Sequence, residues 1–190
     1  MNIYYIHGFN STARPDSPKV RDLISGLAHP VKCLSYDSAD TFEHNITTMT
    51  QAINSEEPVF IGTSLGAFYA EHLASVHNGL AIMLNPSLMP NKSLSKHLGD
   101  NTAYGSTTPW TLTQHTIDSY PNNIGKADFH RMVVVSVDDE VIPPQPTIDF
   151  YKDIADVHIV TGIEHAYPRV NDPIIVNTMI EHINRIGITP

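Results

Sequence analysis

Cysteine occurs once in these 190 residues, so the chain can form no internal disulfide. Cys33 lies in the apolar run Val31-Lys32-Cys33-Leu34, which reads as a packed, inert thiol rather than a reactive one. Basic residues are scarce as well. Eleven Lys and Arg stand against 20 Asp and Glu, a formal charge of −9. Nucleic acid and anionic membrane surfaces both reward clustered Lys and Arg, so neither is expected as a partner. Long apolar runs are missing: no window approaches the roughly 20 residues needed to cross a bilayer. The opening run Ile3–Ile6 is cut off by His7-Gly8, with no basic leader and no apolar stretch of signal-peptide length, which predicts a cytoplasmic protein. Metal-ligand spacings are absent too. There is no H-E-x-x-H, and Glu43-His44, Glu71-His72, Glu164-His165 and Glu181-His182 are adjacent pairs, which point in different directions on a helix. Neither a metal nor a cofactor is expected, and the sequence leaves the oligomeric state open.

What the chain does have is a rhythm. Short apolar runs recur at Ile3–Ile6, Val31–Tyr36, Val59–Ile61, Leu80–Leu84, Met132–Val137 and Val157–Val160. They lack polar alternation, as strands buried on both faces of a parallel sheet do. Helical patterns lie between them. Ser17-Pro18 opens one, with Val20, Leu23, Ile24 and Leu27 at helical spacing. Asp40 and Glu43 resemble a capping box ahead of Phe42, Ile46, Met49 and Ile53. Leu65, Phe68, Tyr69, His72, Leu73 and Val76 form a face that ends at Asn78-Gly79, and a last helix is expected from Pro173 to Ile186 with Gly187 as its stop. This alternation predicts an α/β fold: a mostly parallel six-stranded sheet with helices on both faces, in a single domain spanning 1–190. Residues 86–130 break the rhythm, being rich in Asn, Ser, Thr, Pro and His, and are expected to form a cap-like insert with short helices at Ser93–Leu98 and Pro109–Asp118.

Three strand ends carry the chemistry. Gly62-Thr63-Ser64-Leu65-Gly66 follows a buried strand and opens a helix, the context of a serine raised on a sharp turn. Side chains at positions 62 and 66 would collide across so tight a bend, which is why both are glycine. A serine hydroxyl needs a base to take its proton, and the base needs an acid to orient it. After Met132–Val137 comes Asp138-Asp139-Glu140-Val141-Ile142-Pro143, and after Val157–Val160 comes a Gly-containing turn and His165. Asp139 is the favoured orienter, with Asp138 and Glu140 as alternatives because a shift of the strand end would exchange them. His165 is the favoured base, since His72 and His182 fall inside helices and most other histidines lie on polar loops. The order Ser64, Asp139, His165 is that of the α/β-hydrolases. At the end of the first strand, His7-Gly8-Phe9 offers an oxyanion loop, with the backbone N–H groups of Phe9 and Leu65 as donors and His7 as a brace. Trp110, the sole tryptophan, either anchors the insert or lines an acyl pocket.

Ile-His-Gly-Phe-Asn-Ser-Thr at 6–12, Gly-Thr-Ser-Leu-Gly-Ala-Phe-Tyr-Ala at 62–70 and Leu84-Asn85-Pro86 resemble the YqiA/YcfP group of small bacterial esterases. The turns Asp139-Glu140-Val141 and Glu164-His165-Ala166 fit the same pattern. The resemblance implies a compact α/β-hydrolase with strand order 2-1-3-4-5-6. It also implies a small-molecule substrate, a short acyl ester or thioester, attacked by Ser64. A non-catalytic ligand-binding protein on the same fold is the alternative. Such a protein would be expected to lose a triad member or an elbow glycine, and neither is lost.

Overall fold

The computed structural model describes residues 2–124, 129–162, 164–165 and 173–185. Its strands are β1 (Asn2–Ile6), β2 (Val31–Leu34), β3 (Pro58–Thr63), β4 (Leu80–Leu84), β5 (Gly99–Thr102), β6 (Pro109–Leu112), β7 (His130–Ser136) and β8 (Asp156–Val160). Six of them form one sheet in the order β2-β1-β3-β4-β7-β8, every pair parallel. Each predicted apolar run supplies one strand of this sheet, and counted along the sheet the order is the 2-1-3-4-5-6 that the resemblance implied. Every residue of β3 and β4 is buried, which is why these runs show no polar alternation. Ile159 on the edge strand β8 is 56% exposed.

Helices α1 (Pro18–Leu27) and α7 (Pro173–Arg185) cover one face, where Val20, Leu23, Ile175, Met179 and Ile183 pack against Ile3, Val59 and Ile82. Helices α2 (Phe42–Gln51), α3 (Leu65–His77) and α6 (Pro144–Tyr151) lie on the other face, over Tyr4, Phe60, Met83 and Val133. The expected stop of α7 at Gly187 lies outside the described residues. Helix α3 is buried over most of its surface: Ala67, Ala70 and Ala74 join Leu65, Phe68, Tyr69 and Leu73 in the core, while Val76 is 60% exposed. Small residues let this helix approach the sheet closely, so its buried face is wider than its large side chains suggest. Asn78 ends it in the left-handed conformation. The cap of α2 is Thr41, whose hydroxyl accepts from the His44 N–H, and not the expected Asp40; Asp40 instead accepts from the Thr41 N–H.

The insert departs from its reading. Pro109–Leu112 is a strand, paired antiparallel with β5, and only Gln114–Asp118 (α5) is helical, capped by Thr113. The Trp110-Thr111 stretch suits extended backbone, but the partners that make it a strand, Asn101 and Asp100, lie earlier in the chain and leave no local signal. Pro90–Ser93 (α4) is a single helical turn, and the short helix expected at Ser93–Leu98 is a 3₁₀ turn at Leu94–His97. Leu94, Leu112, Ile117 and Tyr120 sink into the core, tying the insert to the body. Beneath α3, the Arg131 guanidinium donates to Glu71 at 2.9 Å and the Tyr151 hydroxyl donates to the other carboxylate oxygen at 2.7 Å, all three being buried. Burial pushes the Glu71 carboxyl upward, and these two bonds oppose it. Among the described residues, no helix is long and apolar enough to cross a membrane.

Candidate active site

Parallel register brings the carboxyl ends of β1, β3, β4, β7 and β8 to one edge of the sheet, where sites of open α/β folds gather. Ser64 stands at the end of β3 with φ 56° and ψ −119°, a conformation that costs a residue with a side chain about 1–3 kcal/mol. The surroundings over-determine it. The Ser64 N–H donates to the Leu84 carbonyl at 3.0 Å, and its own carbonyl accepts from Ala67 and Ser87. A Cβ at Gly62 would lie 2.2 Å from the Gly66 carbonyl oxygen, and one at Gly66 would lie 2.3 Å from the carbonyl oxygens of Ile6 and His7. Both collisions are with backbone, so the helix and the first strand could not sit this close with any other residue there. The Ser64 hydroxyl makes no hydrogen bond among the described residues and is left for chemistry.

His165 Nδ1 lies 2.8 Å from Asp139 Oδ2. The other oxygen of Asp139 accepts from the N–H groups of Val141 and Ile142, both at 2.8 Å, so the carboxylate is held on three sides. Asp138 is occupied elsewhere, accepting from the Gly162 N–H, and Glu140 accepts from the His165 N–H at 2.9 Å. Of the three acids at this turn, Asp139 is therefore the one against the imidazole ring. Glu140 holds the backbone of the same loop. Asn85, in the left-handed region, accepts from the Ser136 N–H and so ties β4 to the end of β7. That role left no sign in the sequence beyond the Leu84-Asn85-Pro86 motif.

Ser64 and His165 open onto a shared cavity of about 300 Å³, whose walls include Gly8, Phe9, Leu65, Leu94 and Ile142. With Nδ1 engaged by Asp139, Nε2 is the ring nitrogen available to this cavity. Among the described residues, the N–H groups of Phe9 and Leu65 meet no acceptor in the protein, which leaves them free to serve as oxyanion donors. His7 is buried, stacks on Tyr36 at 4.3 Å and donates from Nδ1 to the Gly8 carbonyl. Burial holds this imidazole below its ordinary range, so it is neutral and braces the loop. Trp110 does not reach the cavity. It stands edge-on behind Phe9 at 5.7 Å, donates from Nε1 to Asn10, and lines the neighbouring cavity instead. Among the described residues no group of three or more His, Cys, Asp or Glu is arranged to hold a metal ion.

Residues 2–180 match the model of an uncharacterised protein family, UPF0227. The chain belongs to that family. UPF0227 is the YqiA/YcfP group that the motifs resemble. A UPF0227 protein of Shewanella sp. (strain MR-4) is 22% identical over 174 residues, covering 88% of this chain and 92% of the relative. Among solved structures, DcsB bound to a substrate analogue is similar with a TM-score of 0.74 at 12% identity, over 99% of this UPF0227 chain and 91% of that one. Est1E from Butyrivibrio proteoclasticus is similar with a TM-score of 0.69 at 16% identity, over 96% and 88% of the two chains. These likenesses establish the α/β-hydrolase fold for this UPF0227 member.

Proposed function

We propose that the protein is a serine hydrolase that cleaves short acyl esters or thioesters through an acyl-enzyme on Ser64. The observation that carries this reading is the convergence of Ser64 and His165 on one cavity, with Asp139 fixing the imidazole from behind. In the first half-reaction Oγ of Ser64 bonds to the acyl carbon while its proton passes to Nε2 of His165. The bond from that carbon to the leaving oxygen or sulfur then breaks, and His165 returns the proton to the leaving group. In the second half a water gives its proton to His165 as its oxygen adds to the acyl carbon. The Ser64 ester bond breaks, Oγ recovers the proton and the acid departs. Asp139 stabilises the imidazolium in both halves, and the N–H groups of Phe9 and Leu65 meet the charge that develops on the acyl oxygen.

A cavity of about 300 Å³ is at the small end for ligand sites, which favours short acyl chains. Residues 86–130 act as the cap in this reading, because Ser93, Leu94, Lys96 and His97 supply one wall of the cavity. Similarity in fold to an esterase domain of a Rhodothermus marinus protein, and to Est1E, which is known with ferulic acid bound, favours the same chemistry. Labelling with a fluorophosphonate, followed by peptide mass spectrometry, tests it. The reagent should attach to Ser64 and abolish turnover of butyryl esters. A parent protein that takes up no label and hydrolyses no ester would instead be a ligand-binding member of the fold.

A further inference from the structure

Beside the Ser64 cavity lies a second of about 300 Å³ with apolar walls. Leu88 and Met89 form one wall at the start of the insert, and Val141, Ile142, Pro143 and Pro146 form the other where the Asp139 turn runs into α6. Lys92 is the single charged residue among its described walls. The two cavities share Ser87, Ser93, Val141 and Ile142. The Ser87 N–H donates to the Ser64 carbonyl, and its hydroxyl pairs with that of Ser93 at 3.0 Å, so the shared wall starts at the backbone of Ser64 itself. Met89 is 39% exposed and Val141 44%, which leaves apolar side chains in water on both sides of the opening. A concave site with apolar walls and exposed apolar rims is suited to an apolar ligand. The cavity of about 610 Å³ that meets the Ser64 cavity at Ser11 is of the opposite kind, lined by Asp37, Asp40 and His44.

Building on the serine-hydrolase reading, we propose that this apolar cavity holds the leaving half of the substrate, so that the preferred ester or thioester is that of an apolar alcohol or thiol. Its place along the sheet selects that half. Phe9, a donor to the acyl oxygen in that reading, follows β1, whereas His165 follows β8 at the far edge of the sheet. The walls of the apolar cavity follow β4 and β7, which lie on the His165 side of β3 and Ser64. The leaving group must stand on that side, because His165 hands it a proton. Val141 and Ile142 belong to the same support, since their N–H groups hold the Asp139 carboxylate that holds the imidazole. Exposure of the rim fits this half as well. The alcohol departs while the acyl group is still bonded to Ser64, so its site must open to water. The polar cavity lies towards β1 and β2, and desolvating its carboxylates against an alkyl chain would be unfavourable.

Steady-state hydrolysis of ethyl, butyl and hexyl butyrate tests this, because these alcohols differ in chain length and hardly in acidity. From ethyl to hexyl, kcat/KM should rise about two- to fourfold per methylene, as for methylenes partly to fully taken out of water, and so at least about tenfold in all. Equal lengthening of the acyl side, from ethyl butyrate to ethyl octanoate, should gain less. Met89 is the N-cap of α4 and Pro146 lies in the first turn of α6, so aspartate suits both helix starts while placing a carboxylate on each wall. In Met89→Asp/Pro146→Asp the hexyl-to-ethyl ratio should fall towards one. A parent ratio near one overturns the proposal, as does a larger gain on the acyl side or a ratio that the double variant leaves unchanged. Methyl NMR of the methionines with added hexan-1-ol keeps the two readings separate. The alcohol should shift the Met89 resonance, assigned by its loss in Met89→Asp. Such a shift in a protein that hydrolyses no ester defeats the hydrolase reading alone, while ester turnover with neither shift nor chain-length gain defeats the leaving-group site alone.

Discussion

Replacing Ser64 by glycine should inactivate the protein and make it more stable than the alanine variant. The reason is the backbone at this position, φ 56° and ψ −119°, which a side chain tolerates only under strain. Relief of that strain is worth about 1–3 kcal/mol. Glycine also gives the unfolded chain more freedom, which takes back about 0.5–1 kcal/mol. The difference leaves Ser64→Gly more stable than Ser64→Ala by about 1 kcal/mol, or roughly 2–4 °C in Tm for a chain of this size. Alanine is the proper reference because the Ser64 hydroxyl makes no hydrogen bond among the described residues, so removing it alone loses no bonded partner. Urea denaturation of parent, Ser64→Ala and Ser64→Gly, with ester turnover measured on each, makes the comparison. Both variants should be inactive, and the order of midpoints should place glycine above alanine. A glycine variant less stable than alanine would refute the claim that the fold stores strain at Ser64.

Asp139→Asn should keep the fold but lower kcat by about 10⁴-fold, because an amide beside Nδ1 no longer fixes the tautomer or stabilises the imidazolium; a loss below tenfold in steady-state assays would remove Asp139 from that role. Trp110→Ala should lower stability by about 2 kcal/mol, through loss of the Asn10 bond and the Phe9 contact, and leave the order of kcat/KM across acetyl, butyryl and octanoyl esters unchanged; a selective loss for long chains would return Trp110 to the acyl pocket. Acid should destabilise the protein through His182 on α7, which burial drives down to about 4 with His130 and His158 close by. Asp156, 3.0 Å from its Nδ1, is shared with Arg185, and Glu181 precedes His182 on the same helix. The unfolded imidazole titrates near 6.5, so the stabilising effect is complete above that pH and fades towards about 4, reaching at most about 2 kcal/mol lost by pH 5. Denaturation midpoints of parent and His182→Leu across this interval check it, and an equal fall in both would exclude His182 as the source.

Much of this was legible in the chain because its causes are local. Buried parallel strands must be apolar throughout, so six short runs marked six strands. Two glycines around Ser64 marked a turn so tight that the structure has Gly62 and Gly66 touching backbone on either side. The order of serine, acid and histidine along the sequence followed from where the strands end. What tertiary structure alone decided is non-local. The choice of Asp139 over Asp138 and Glu140 depends on which carboxylate the sheet edge turns towards a histidine 26 residues away. The β5–β6 hairpin exists because two four-residue segments meet across a loop, each too short to show a period. Trp110 ended up behind Phe9 because Asn10, 100 residues earlier, accepts its indole N–H. Met89 and Pro146 reached one cavity from the insert and from α6, a meeting set by how the layers stack and not by the spacing of any motif.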